Sequence, residues 1–178
     1  MEDKDIKLTG YKLNKKAVTN LNKILVSQGI DLENGKVDLH HITSTLGSLE
    51  NTMASKKVKN LEYQTSVIEA QNNGLKFGSD NVFNVTEIGI NPDTGVVAFK
   101  VENNDGTAVI SKNDIPHVTA FVPEGEKAFS SNKITEENWT TLENQIQIKA
   151  TFTEFYKNDK DELIDAHLSG DVSKSKQP

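Results

Sequence analysis

The chain has 178 residues, 35% of them hydrophobic, a formal net charge of -6, no cysteine and twenty basic residues that are all lysine. Disulfides, thiol catalysis and cysteine-ligated zinc are therefore excluded, as is any guanidinium fork for phosphate. The acidic balance argues against a partner made of long duplex nucleic acid, and no apolar run approaches the roughly 20 residues of a membrane span. The mean hydropathy of -0.53 fits a polar-surfaced domain. The polar start MEDKDIKLTG does not read as a secretory leader, so the cytoplasm is the expected compartment.

In chain order, residues 1–7 read as a disordered N-terminus, and LTGYKL (8–13) as a short strand. Asn14 to Gln28 has helical spacing at Ala17, Val18, Leu21, Ile24 and Leu25, with Gly29 as a stop. DLENGK is a loop, and Val37 to Thr45 a strand. Residues 46–59 suggest a loop with a short helical piece. LEYQTSVIEA (61–70) fits strand or helix, with strand preferred. NVFNVTEIGI and GVVAFKVEN form an expected hairpin around NPDTG. Asp114 to Val122 is a further strand, and Thr135 to Asn144 an expected short helix with Glu136 and Glu137 in its first turn. Gln145 to Tyr156 alternates as a last strand. From 157 to 178 the chain reads as a polar tail with a marginal helix at ELIDAHL and an unstructured end, DVSKSKQP. These elements predict an α+β domain over 8–156 with mostly antiparallel pairing.

Two of the four histidines occur in one setting: LHHITSTLG (39–47) and IPHVTAFVP (115–123) each carry His-apolar-Thr in a strand-like stretch. Side chains two apart on a strand share a face. His41 and Thr43 thus project together, as do His117 and Thr119. If the two strands meet, two imidazoles and two hydroxyls converge. That set suits phosphodiester cleavage without a cofactor or metal. One neutral imidazole accepts a proton from the attacking hydroxyl, and the other, protonated, supplies the leaving oxygen. The threonine hydroxyls donate to the phosphate oxygens. The competing reading is two structural histidines beside strand-forming residues. His40 is expected to point away from His41, His167 to lie solvated in the tail, and Trp139 to anchor a helix. Tyr11 and Phe121 are candidates for stacking on a base, with core packing the plainer role for Phe121.

The paired motif resembles the 2H phosphoesterase superfamily, defined by two His-x-Thr/Ser motifs. The layout is similar to phage anti-CBASS phosphodiesterases and to the phosphodiesterase domain of fungal and plant tRNA ligases. Ser131-Asn132 resembles a Ser-Asn segment of the latter. The resemblance covers about 8–156 and implies a bilobal fold, with two mostly antiparallel sheets related by a pseudo-twofold axis, a central cleft and helices outside. It implies that His41 and His117 are the acid–base pair, in either order, and that Thr43 and Thr119 bind phosphate. The implied activity is metal-independent cleavage of a small nucleotide or cyclic oligonucleotide signal, in a phage setting within the host cytoplasm. Opening of RNA 2′,3′-cyclic phosphates and non-catalytic nucleotide sequestration are the alternatives. Thr43 departs from the family habit of a following apolar residue, since Ser44 and Thr45 come next. Lys76, Lys100 or Lys127 would have to replace an arginine clamp.

Overall fold

The computed structural model describes residues 5–167, so the expected end DVSKSKQP and residues 1–4 lie outside the described residues. Strand β1 (Ile6–Leu13) leads into helix α1 (Lys15–Ser27). The Asn14 side chain caps α1 by accepting the Ala17 amide at 2.8 Å, and Ala17, Leu21 and Leu25 form its buried stripe. Short β2 (Gly35–Val37) and then β3 (His41–Leu46) follow. Helix α2 (Leu49–Ala54) is capped by Ser48, and α3 (Leu61–Asn72) follows it. Strands β4 (Asp80–Ile90) and β5 (Val97–Asn103) form the expected hairpin. Strand β6 (His117–Pro123) carries the second motif, β7 (Trp139–Lys157) runs for 19 residues, and β8 (Leu163–Asp165) pairs with its end.

Six strands close into an antiparallel barrel in the order β1-β3-β6-β5-β4-β7, with β7 returning to β1. Strands β2 and β8 extend the same sheet from β6 and β7. The expectation of two separate sheets is thus corrected to one closed sheet: β7 is long enough to pair with β4 along most of its length and with β1 at its far end. Closure removes the exposed edges that two small sheets would leave. Tyr11, Ile42, Phe83, Phe99, Val118 and Phe152 share the core, joined by Leu21 and Leu25 of α1 and Val67 of α3. Each fully buried aromatic or aliphatic side chain of this kind contributes roughly 1.5–3 kcal/mol. Among the described residues, no helix is long and apolar enough to cross a membrane.

Three local expectations fail for identifiable reasons. Residues 61–70 are helical, because Tyr63 and Val67, one turn apart, bury against the core while Leu61 and Ile68 stay exposed. Those exposed apolar residues mask the helical period. Thr135–Asn144 gives only one tight turn (Glu136–Asn138), since Trp139, Thr140 and Thr141 pair with Gly89, Ile88 and Glu87 of β4. The tail from 157 is partly sheet: Leu163–Asp165 pairs with Phe155–Lys157 instead of forming a helix. At the other end, Ile6 and Lys7 already belong to β1.

Candidate active site

Strands β3 and β6 pair antiparallel with Ile42 opposite Val118, both fully buried. That single register decides the rest. His41 and Thr43 flank Ile42, and His117 and Thr119 flank Val118, so all four turn to the other face. Antiparallel pairing then sets His41 nearest Thr119 and Thr43 nearest His117. All four line one cleft of about 850 Å³. Gly10 makes this packing feasible. It pairs with Thr43, and any Cβ there would collide with the Ile42 carbonyl oxygen.

His117 is 6% exposed. Its Nδ1 lies 2.7 Å from the Ile115 carbonyl oxygen, which can only accept, so Nδ1 carries a hydrogen. Nε2 sits 3.0 Å from Ser131 Oγ, which is also 2.8 Å from Thr119 Oγ1 and donates to the Ala128 carbonyl at 2.9 Å. Ser131 has one hydrogen for these contacts: given to Ala128, it leaves the oxygen to accept from Thr119 and from a protonated Nε2; given to Nε2, it meets the neutral ring. Burial pulls the His117 pKa below its ordinary value, while the Ile115 carbonyl and the Asn132 side chain favour the charged ring.

His41 is half-buried. Its Nε2 is 3.1 Å from Thr43 Oγ1 and its Nδ1 is 3.0 Å from His40 Nδ1. Burial, followed by the neighbouring His40 and His117, lowers its pKa to about 3. At neutral pH this imidazole is uncharged. Burial thus lowers both rings, while their hydrogen-bond partners differ.

The cleft is positively lined in an acidic protein: Lys7, Lys57, Lys59, Lys112 and Lys157 border it, against one carboxylate, Asp38. Burial raises the Asp38 pKa, and the charge of Lys36 opposes that shift. Lys112 is anchored beside the first motif: its amide donates to the Ser44 carbonyl at 2.7 Å, Ser111 Oγ donates to the Thr43 carbonyl at 2.7 Å, and its ammonium donates to Asn60. Desolvation, then the charges of Lys59 and Lys57, lowers the Lys112 pKa. Phe129 is 55% exposed at the cleft, with Lys133 over its ring. Among the described residues, no three His, Asp or Glu side chains form a metal-ligand cluster.

Several assignments from sequence change. Tyr11 is 3% exposed and wedged between Phe83 and Phe152, with ring centroids at 5.0 and 5.2 Å, so no base can stack on it. Phe121, 4% exposed, packs in the core and against Gly35. Lys76, Lys100 and Lys127 do not line this cleft, and Lys100 pairs with Glu87 at 3.1 Å. Trp139 opens β7 and packs over Gly89 rather than anchoring a helix. His167 is not solvated alone: it bonds Glu154 at 2.8 Å and stacks on Phe77 at 4.0 Å. His40 contacts His41 instead of diverging from it. Ser131 bridging and the Lys57, Lys59 and Lys112 rim were invisible to spacing rules, since they reach the motifs from distant loops.

No family model matches the sequence, and comparison with curated proteins finds no match either. Among solved structures, the chain is similar to one titled "Crystal Structure of Fungal RNA Kinase". That likeness has 15% identity and a TM-score of 0.48, and covers 85% of this chain but 46% of the other. The chain thus spans less than half of that protein.

Proposed function

We propose that this chain is a metal-independent phosphodiesterase that acts on a short or cyclic oligonucleotide through two-histidine acid–base catalysis. The observation that carries the reading is the Ile42–Val118 register, which aims two imidazoles and two threonine hydroxyls into one lysine-rimmed cleft. His41 Nε2 takes the proton of the attacking hydroxyl or water as its oxygen bonds phosphorus. His117 Nε2–H passes its proton to the leaving ribose oxygen as the old P–O bond breaks. Thr43 and Thr119 donate to the non-bridging oxygens, where charge builds. The five lysines supply the field for a ligand with more than one phosphate, and exposed Phe129 offers a face for a base.

The pairing pattern supports a pseudo-twofold relation within the one closed sheet, in place of two separate sheets. The axis through Ile42–Val118 relates β3 to β6, β1 to β5 and β7 to β4 in the barrel order. Lys12 faces His41 on one side as Lys100 faces His117 on the other. Gly10 faces Thr43 as Ala98 faces Thr119, and the register slips beside each.

Turnover in EDTA tests the proposal, with cyclic di- and trinucleotides, 2′–5′ oligoadenylate and nucleoside 2′,3′-cyclic phosphates resolved by chromatography and mass. Cleavage lost on His41→Ala and on His117→Ala, in folded protein, is the expected result. Preference for cyclic oligonucleotides would support removal of a bacterial immune signal, and preference for 2′,3′-cyclic phosphates RNA-end processing. Intact ligand recovered from a denatured complex would replace catalysis by sequestration, and turnover unaffected by both substitutions would sink the mechanism.

A further inference from the structure

His40 lies just before β3, where a regular strand would turn it away from His41. Leu39 changes that. Its φ of 49° puts a buried, branched side chain in the left-handed region, a strained state for any residue but glycine. Both sides hold the kink: the Leu39 amide donates to the Thr119 carbonyl at 2.9 Å, and the His40 carbonyl accepts the Leu13 amide at 3.0 Å. The kink brings His40 Nδ1 to 3.0 Å from His41 Nδ1. Buried Phe155 backs both rings, with centroids 5.2 and 5.5 Å away.

Only one hydrogen fits between two ring nitrogens at this separation. If His40 donates it, neutral His41 must carry its own hydrogen on Nε2, and no lone pair faces the cleft. If His41 donates it, Nε2 is left as a free base beside Thr43. We propose that His40 is a positioning residue that accepts the His41 Nδ1 hydrogen and thereby holds His41 in its base-competent tautomer.

An accepting His40 must be neutral, with its own hydrogen on Nε2. Burial and then Lys12 of β1 oppose a second proton on this ring, against Asp165 of β8, and so keep the Nδ1 lone pair free to accept. His117 of β6 faces His41 from the other side and likewise opposes a charged His41. The arrangement parallels a catalytic triad with a neutral ring in place of the carboxylate. A neutral acceptor orients its partner without the negative charge by which a carboxylate would raise the partner's pKa, in keeping with an imidazole that stays uncharged. The role in turnover rests on the phosphodiesterase reading; the tautomer does not.

Long-range ¹⁵N–¹H correlation spectra of ¹⁵N-histidine-labelled full-length protein test it directly. At neutral pH His41 is expected as the Nδ1–H tautomer. His40→Phe keeps a ring on Phe155 but removes the acceptor, and should shift His41 toward Nε2–H. His40→Asn retains an acceptor near the Nδ1 position and should restore Nδ1–H. With a cleaved substrate in hand, kcat should fall about 10- to 10²-fold in His40→Phe, with KM little changed and partial rescue in His40→Asn. His41 found as Nε2–H in the unaltered protein, or an unchanged tautomer in His40→Phe, overturns the assignment. Absence of any turnover, with the tautomers as expected, would instead count against the phosphodiesterase reading alone.

Discussion

The two His-x-Thr motifs occupy equivalent places on paired strands, yet their second contacts differ. On β6, a backbone carbonyl fixes His117 Nδ1 and a serine hydroxyl meets Nε2. On β3, another imidazole meets His41 Nδ1 and the motif threonine meets Nε2. A carbonyl can only accept, so one ring is held with Nδ1 protonated, and that contact offsets part of the cost that burial puts on its charged form. An imidazole partner can give or take, and two adjacent rings resist a shared charge. On the proposed mechanism, the same three-residue word would yield an acid on one strand and a base on the other. Residues outside the word make the difference.

The sharpest way to break this comparison is to remove each ring in turn. His41→Ala and His117→Ala are each expected to cost about 10² to 10⁴ in kcat/KM. A leaving group that needs no protonation should rescue His117→Ala and not His41→Ala. Equal rescue of both would erase the assigned asymmetry. Gly10→Ala tests the close approach behind the first motif. Its Cβ cannot fit against the Ile42 carbonyl, so a loss of about 1–3 kcal/mol in stability is expected by chemical denaturation. A neutral result would show that β1 can retreat from β3 without cost. Ser131→Ala should leave the fold intact and reduce kcat by about tenfold, the worth of one hydrogen bond of roughly 1.4 kcal/mol. It acts on the β6 side alone.

Acidity provides the gentlest probe. The proposed mechanism needs His41 neutral and His117 charged. His41 stays neutral down to about pH 3, and the His117 pKa lies below 6.5. The kcat/KM of the free enzyme should therefore rise as pH falls from 8 through 6, with its acid limb far below. An optimum at or above neutral pH would contradict the assignment. Stability should run the other way. His40, His41 and His117 are all depressed in the folded chain, whereas the unfolded chain takes up protons near 6.5. Stability is then lost as pH drops below about 6.5, by at most about 1.4 kcal/mol per pH unit per imidazole. Urea titrations of His41→Ala should show a shallower acid loss.

By itself, the sequence determined the chemistry available at the site and most of the strands. The alternation of 145–156, and the Val, Ile and Phe content of 81–90 and 95–103 on either side of NPDTG, can be read locally. The shared face of His41 with Thr43, and of His117 with Thr119, follows from strand geometry alone. Tertiary structure decided the rest. Helix α3 depends on which apolar residues find the core, and the start of β7 depends on an available edge of β4. Tyr11 and Phe121 carry no local mark that separates a core ring from a stacking platform. The left-handed turn at Leu39, the Ser131 bridge and the lysine rim come from segments far apart in the chain or from a backbone angle no residue pattern announces. Local pattern records what a residue can do; only the closed barrel decides which residues meet.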